Sequence, residues 1–180
     1  MKKALTYIAI GFLFTLVNFN LIFNGKSINI VPDFVGWILF YIAFDKLGKY
    51  VSDKKYLKLC SLVLAILNGV LWLASIIDVS VDFSIVSIIS AILGAVYMFI
   101  LFGALENVAN DYAPEKKDTI KYLRYINIIV VIVLNIGVFM FSLEQNKATA
   151  LIVTIFSFIG LIAAIFTCVA LFQLANSINE

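Results

Sequence analysis

The sequence predicts an all-α membrane protein, a polytopic bundle of six transmembrane helices, because of its composition and its long uncharged runs. Apolar residues make up 63% of the 180 residues, and the mean hydropathy is +1.08. Charged residues make up 13%, about half the usual share in soluble proteins. Several uncharged runs reach about 20 residues, enough for a helix to cross a bilayer core of roughly 30 Å. We therefore expect one transmembrane domain, 1–180, in the cell membrane.

The first predicted helix follows two lysines and extends from Ala4 to Phe23. A basic start before an apolar run also occurs in secretory signal peptides, whose apolar region has about 7–15 residues. This run is longer, and no small-x-small cleavage pattern follows it, so we expect a helix that is retained. The Asn-Gly-Lys-Ser cluster at 24–27 is typical of a turn and ends this helix.

Polar interruptions delimit the other five helices. Proline is favoured in the first turn of a helix, where its missing N–H has no partner to lose, so the second helix begins at Pro32. Asp78 and Asp82 bracket one short loop, 144–147 forms another, and the polar stretch 106–121 is the long loop. The expected helices are Ala4–Phe23, Pro32–Leu47, Tyr56–Ile77, Phe83–Leu105, Tyr122–Leu143 and Ala148–Ala175.

The positive charges predict the orientation of the bundle. If the N-terminus faces the cytoplasm, only Lys26 and Lys147 of the 13 lysines and arginines lie outside, which leaves eleven inside. Cytoplasmic loops of membrane proteins carry such an excess of Lys and Arg. We therefore expect a multi-pass protein whose N- and C-termini are both cytoplasmic.

A weak internal repeat admits two interpretations. Lys-Tyr-Leu-Lys at 55–58 opens the third helix and Lys-Tyr-Leu-Arg at 121–124 opens the fifth. Each is followed by one asparagine, Asn68 or Asn135, and Asn18 has a similar place in the first helix. The pattern fits three repeated helical hairpins of parallel orientation, a plan that some transporters use. It also fits basic flanks around apolar filler, with no repeat.

The opening of the second helix is one candidate for a ligand site. Pro32–Leu47 is roughly 24 Å long at 1.5 Å per residue, short for a spanning helix, and short segments point to binding sites in transporters. One interpretation is an outward-facing pocket lined by Asp33, Trp37 and Asn29. The other is a helix start at which Asp33 complements the helix dipole, with local thinning of the bilayer.

The three asparagines deepest in their helices also have two interpretations. A buried amide in lipid must find a partner, so these residues either join helices by hydrogen bonds or face one axis and bind a ligand. The candidate ligand-binding residues are therefore Asp33, Trp37, Asn29, Asn18, Asn68 and Asn135.

Small residues at four-residue spacing predict faces where helices pack closely, because little else drives helices together in lipid. We expect these faces to join helices of the chain, and some to meet another membrane protein in addition to the lipid bilayer. The stripes are Ser61-Ala65-Gly69, Ser87-Ala91-Ala95, Ser90-Gly94 and Gly160-Ala164-Cys168.

Several functions are excluded by what the sequence lacks. It contains no histidine, and Cys60 and Cys168 are far apart, so we expect no metal and no cofactor. No phosphate-binding Gly-rich loop and no GxSxG or HExxH motif occurs, and Glu106 belongs to the expected solvated loop, so an enzyme is not expected. The net charge of +2 gives no reason to expect nucleic-acid binding.

Two resemblances follow from these features. The stretch Ile-Val-Pro-Asp-Phe-Val-Gly-Trp-Ile-Leu at 30–39 resembles a helix opening in uncharacterised small polytopic membrane proteins of Gram-positive bacteria, which implies a bacterial inner-membrane protein. In size, helix number and cytoplasmic termini the chain is similar to the S-components of energy-coupling-factor vitamin transporters. Those carry Ala-x-x-x-Ala on the first helix, whereas this chain has Ala4 and Ala9.

Two functions remain open from the sequence. The first is a small permease-like or substrate-binding membrane subunit, in which Asp33, Trp37 and the asparagines converge on a cavity. The second is a non-transporting accessory, immunity or assembly partner of another membrane complex, which predicts a fully packed bundle with a small-residue stripe facing outward.

Overall fold

The computed structural model consists of six α-helices, a two-stranded β-hairpin and one turn of 3-10 helix. It describes residues 1–16, 20–23, 26–29, 32–47, 50–51, 54–77, 84–144 and 147–178. The elements are α1 Lys2–Leu16, β1 Asn20–Phe23, β2 Lys26–Asn29, α2 Asp33–Leu47, α3 Lys54–Ile77, α4 Ser84–Tyr112, the 3-10 turn Pro114–Lys116, α5 Lys117–Glu144 and α6 Lys147–Ser177.

Three of the described helical segments, rather than the expected six, are long and apolar enough to cross a membrane: Lys54–Ile77, Ile85–Tyr112 and Ala150–Ser177. Two of the six predicted spans, α1 and α2, are too short to meet this criterion. Each has 15 residues and is about 22 Å long, which is less than the thickness of the hydrocarbon core. The length and hydropathy of the three long helices are typical of a membrane protein.

The predicted end of the first helix is wrong, because α1 stops at Leu16 and Asn20–Phe23 forms a β-strand. This strand pairs antiparallel with β2, so that Asn20 lies opposite Asn29 and Phe23 opposite Lys26. The physical reason is present in the sequence. An Asn-Gly pair between two short segments is a strong hairpin signal, because both residues accept the positive φ of a tight turn.

The expected loop 106–121 is also wrong, because almost all of it is helical. Helix α4 continues to Tyr112, and α5 begins at Lys117 directly after the 3-10 turn. The apolar side chains of Val108, Ala109 and Ile120 are buried and most of the charged side chains are exposed, so the segment is amphipathic. Helices α2, α3 and α6 begin and end within two residues of their expected limits.

The six helices form a closed ring in chain order. Each helix packs against the next one, and α6 packs against α1. Aromatic side chains fill the middle of the ring: Phe12 of α1 meets Phe102 of α4 with ring centroids 5.4 Å apart, and Trp37 of α2 meets Tyr97 of α4 at 5.1 Å. The buried cluster lies mainly in the helix halves nearer the two termini, and its large fully buried side chains include Phe12, Phe40, Phe44, Tyr97, Leu101 and Phe102.

Helices α1 and α2 cross at two glycines. A Cβ atom added to Gly36 would lie 2.6 Å from the carbonyl oxygen of Gly11 and 2.6 Å from Thr15 Cγ2. A Cβ atom added to Gly11 would lie 2.8 Å from Phe40 and 3.0 Å from the carbonyl oxygen of Gly36. The two backbones therefore approach so closely that neither position has room for a side chain.

The predicted small-residue stripes are used largely inside the chain. Ser61 and Ala65 of α3 are buried, as are Ala164 and Cys168 of α6. The Cys168 thiol donates to the carbonyl oxygen of Ala9 at 3.5 Å, which joins α6 to α1. These small side chains therefore serve helix packing within the ring.

We predict that Gly36→Ala lowers the free energy of unfolding by about 1–3 kcal/mol, the usual cost of overpacking, because the new methyl group meets backbone that cannot move aside. Gly69→Ala is the matched control, since its Cβ would lie 3.8 Å from Phe34, an ordinary contact. Unfolding of both variants by dodecyl sulfate in mixed micelles measures the difference. Equal stability of the two variants would contradict a close crossing at Gly36.

Candidate functional site

A cavity of about 390 Å³ lies among α1–α5, in the half of the bundle opposite the two termini. It is bounded by the last turn of α1, the first turns of α2 and α4, and the middle of α3 and α5. Its volume falls in the usual range for small-molecule sites, about 300–1,000 Å³. The polar and aromatic residues that line it are Thr15, Asp33, Trp37, Asn68, Ser87 and Ser90, and the apolar ones include Leu71, Met98 and Leu134.

The first turn of α2 directs its side chains to different neighbours. The Val35 N–H donates to the carbonyl oxygen of Pro32 at 3.0 Å and closes this turn. Residues four apart lie on one helix face, so Asp33 and Trp37 both reach the cavity. Phe34 packs instead on Trp72 of α3, with ring centroids 5.5 Å apart. The Pro-Asp-Phe-Val-Gly-Trp opening therefore places one carboxylate and one indole on the cavity wall.

The indole of Trp37 is held rigidly. Its ring packs edge-on against Phe40 at 5.5 Å and Tyr97 at 5.1 Å. Gly94 of α4 lies beneath it, where an added Cβ would be 3.7 Å from the indole ring. Trp37 thus belongs both to the aromatic cluster of the packed half and to the cavity wall. A pre-formed aromatic surface of this kind suits a bound cation or an apolar group.

Asn68 combines the two roles that the sequence left open. Its side-chain amide nitrogen donates to the carbonyl oxygen of Leu64 at 2.8 Å and to Ser90 Oγ at 3.0 Å. The second bond joins α3 to α4, and the residue also lines the cavity. Since both amide protons point to these acceptors, a ligand would meet the carbonyl oxygen of Asn68.

The other predicted site residues fall beyond the described side chains. Asn18 lies outside the described residues. Asn29 belongs to β2 and Asn135 to α5, and the side chains of both are outside the described part. Leu134, the neighbour of Asn135, lines the cavity. The structure thus brings together Asp33, Trp37 and Asn68, and the role of the remaining three stays a prediction.

Thr15, Ser87 and Ser90 are cavity residues that the sequence interpretation missed. Ser87 and Ser90 belong to the small-residue stripes of the fourth helix, a pattern that reflects the size of the side chains and not their hydroxyl groups. Thr15 could not be recognised from the sequence, because a single threonine in an apolar helix does not show which neighbouring helices it faces.

A second asparagine joins helices and was also missed. Asn127 of α5 donates to the carbonyl oxygen of Leu123 at 2.8 Å and to Thr167 Oγ1 of α6 at 2.8 Å, and both Asn127 and Thr167 are buried. The arrangement matches that of Asn68. In each case an asparagine bonds the carbonyl oxygen four residues earlier and a hydroxyl of the next helix. The signal in the sequence was an asparagine in an apolar stretch, two turns before Asn135.

Glu106 is not solvated as expected but forms an ion pair in a cavity of about 410 Å³ between α4 and α5. Its carboxylate lies 3.5 Å from Arg124, and the two side chains are 19% and 18% exposed. The Arg124 guanidinium also stacks on Phe99, 3.7 Å from the ring centroid. The two charges compensate each other, so this cavity has no strong preference for either sign of ligand charge.

Comparisons with protein-family models, with curated proteins and with solved structures find no match to this chain. Within the described residues, no group of three or more His, Cys, Asp or Glu side chains could hold a metal ion. Functional inference therefore depends on the cavity and its residues.

We predict that Asn127 and Thr167 stabilise the protein jointly, with a coupling energy of about 0.6 kcal/mol and at most about 1.7 kcal/mol, the range for hydrogen bonds between membrane helices. A double-mutant cycle with Asn127→Ala and Thr167→Ala, followed by unfolding in mixed micelles, measures it. The control cycle pairs Asn127→Ala with Ser157→Ala, because the Ser157 hydroxyl is exposed and donates within α6 to the carbonyl oxygen of Val153. Additive effects at Asn127 and Thr167 would contradict the bond.

Proposed function

We propose that the chain is a multi-pass protein of the cell membrane in which all six helices lie in the bilayer and both termini are cytoplasmic. Closure of the six helices into one ring supports this, since α1 packs against α6 and α2 packs against α3, which are two of the long apolar helices. The β-hairpin fits the outer interface, because lipid offers nothing to the free edges of a two-stranded sheet. The distribution of Lys and Arg supports the orientation.

We propose further that the protein is a small permease-like or substrate-binding membrane subunit. The single observation that carries this proposal is the convergence of Asp33, Trp37 and Asn68 on one cavity, together with three hydroxyl groups. An ionisable group among membrane helices is costly unless it has a partner or a function, so the carboxylate of Asp33 in this cavity is a candidate for a substrate path.

The chemistry of the cavity favours a small solute that carries a positive charge and hydrogen-bonding groups. Asp33 is the one charged side chain among the described residues that line it. Trp37 lies on the same wall, and an indole ring attracts cations as well as apolar groups. Asn68 and the hydroxyls of Ser87 and Ser90 supply polar partners for the rest of the ligand.

The accessory hypothesis has less support. It expects a fully packed bundle and a small-residue stripe that faces outward. The stripes on α3 and α6 instead bury Ser61, Ala65, Ala164 and Cys168 within the chain, whereas Ser87 of the stripe on α4 is exposed. The half of the ring opposite the termini contains a cavity. The stripes on α3 and α6 therefore have a sufficient role inside the protein.

We predict that Asp33→Asn weakens binding of a cationic ligand at least tenfold without loss of stability, because a hydrogen bond to a charged group contributes about 1.5–3 kcal/mol. The full-length protein in detergent is screened by thermal shift against small primary and quaternary amines and cationic vitamins, and the best ligand is then titrated calorimetrically. Asp45→Asn is the control, since this carboxylate is exposed, pairs with Lys58 and lies away from the cavity.

Two results would overturn the proposal. If no member of the amine panel binds, the ligand class is wrong. If Asp33→Asn binds the best ligand as tightly as the natural protein does, Asp33 acts as a helix start and not as a ligand group.

Single-cysteine variants in a Cys60→Ala, Cys168→Ala background test the proposed orientation. We predict that Lys147→Cys reacts with a membrane-impermeant maleimide in intact cells, whereas Lys117→Cys and Asn176→Cys react only after the membrane is permeabilised. All three positions bear side chains at helix ends, Lys147 and Asn176 are exposed, and Lys117 is partly exposed. Labelling of 147 and 176 from the same side would contradict an odd number of crossings between them.

A further inference from the structure

A groove of about 560 Å³ runs along the outside of the ring between α5 and α6. Its α6 wall extends from Ile159 to Gln173, which is about 21 Å at 1.5 Å per residue. That length exceeds one leaflet of a hydrocarbon core roughly 30 Å thick. Large apolar side chains form most of the groove, namely Ile126, Ile159, Ile162, Phe166 and Val169.

The apolar wall faces the surroundings of the bundle rather than its core. The side chain of Phe166 is 64% exposed and that of Ile162 is 54% exposed. In a bilayer, such a surface contacts acyl chains, and a concave one can hold a single chain in a fixed place.

The end of the groove nearer the termini is polar. Thr119 and Tyr122 of α5 lie there opposite Gln173 of α6. Lys116 donates to Gln173 Oε1 at 3.2 Å, so its ammonium group is held at the mouth by a neutral amide. The groove therefore has an apolar length and one polar end, the same division as in a phospholipid.

The charge at this mouth is positive. Of the charged residues in the segment 115–124, Arg124 belongs to the cavity between α4 and α5, and the other three basic and two acidic residues give a net charge of +1. The described part of α6 carries no charge after Lys147. Among the described residues, Lys116 contacts no carboxylate, whereas Lys58 pairs with Asp45 and Arg124 pairs with Glu106. The cavity between α4 and α5 is thus compensated, while the groove between α5 and α6 is not.

We propose that this groove is a binding site for an anionic phospholipid. One acyl chain lies along Ile126, Ile162 and Phe166, and the phosphate accepts hydrogen bonds from Lys116 and from the hydroxyl groups of Thr119 and Tyr122. Basic pockets between membrane helices on the cytoplasmic side bind anionic head groups by the same chemistry. The proposed orientation assigns the lipid to the inner leaflet, but the binding chemistry is independent of it.

The test uses native mass spectrometry of the full-length protein in detergent, titrated with phosphatidylglycerol and with phosphatidylcholine of the same acyl chains. The natural protein should retain one phosphatidylglycerol in preference to phosphatidylcholine. Lys116→Gln should weaken retention of phosphatidylglycerol about fivefold, the effect expected for one basic side chain near a lipid surface, and leave phosphatidylcholine unchanged. Lys147→Gln, which removes the same charge at the opposite end of α6, should change neither.

A second variant tests the apolar part of the site. Val169→Trp fills the groove from an exposed position, so it should reduce retention of both lipids without unfolding the protein. Equal retention of the two lipids by the natural protein would overturn the proposal, as would an unchanged preference in Lys116→Gln. Displacement of the lipid by excess inorganic phosphate would also overturn it, because it would make the mouth a site for free anions.

Discussion

The contact between the backbones of Gly11 and Gly36 is the constraint on which most of the described structure depends. Helices in lipid gain little from hiding apolar surface from one another, so close van der Waals packing and hydrogen bonds must hold them together. The crossing brings Phe12 of α1 against Phe40 of α2, with ring centroids 5.6 Å apart. It also fixes the first turn of α2, from which Asp33 and Trp37 reach the cavity.

One half of the ring is closely packed, and the other half contains a cavity. Near the termini, Phe40, Tyr97 and Phe102 are almost fully buried, and the helices pack without a large internal space among these residues. Toward the other end, Asn68 and Ser90 share a hydrogen bond at the edge of a polar cavity. Trp37 belongs to both regions, so a ligand in the cavity would contact a side chain that the packed half already holds in place.

Hydrogen bonds between neighbouring helices support the ring at two places. Asn68 bonds Ser90 between α3 and α4, and Asn127 bonds Thr167 between α5 and α6. The predicted hairpin repeat aligns Asn68 with Asn135 and not with Asn127, so this similarity does not test the repeat, which stays a prediction. The Asn127 pair is fully buried, whereas Asn68 lies at a cavity, and this difference separates a purely structural amide from one that a ligand can reach.

The sequence by itself determined the membrane class and the three long apolar helices, because length and hydropathy are local properties that need no partner. It also singled out the opening of α2, since proline, a carboxylate and a short helix are visible in the chain. The sequence also contains a hairpin signal, Asn24-Gly25. The prediction placed a helix there instead, because the apolar run before this pair matches a helix equally well. The segment 106–121 was predicted to be a loop because its charged residues outnumber the few apolar side chains that it buries.

Only the tertiary structure decided which polar residues meet. Asp33, Asn68 and Ser90 lie on three helices, and their convergence depends on the order of the ring and on the angular position of each helix face, which no local pattern fixes. The partnership of Glu106 with Arg124 likewise depends on α4 continuing beyond its expected end at Leu105 and on the packing of α4 against α5. Contacts between distant parts of the chain are set by packing, so the candidate site became visible only when the ring closed.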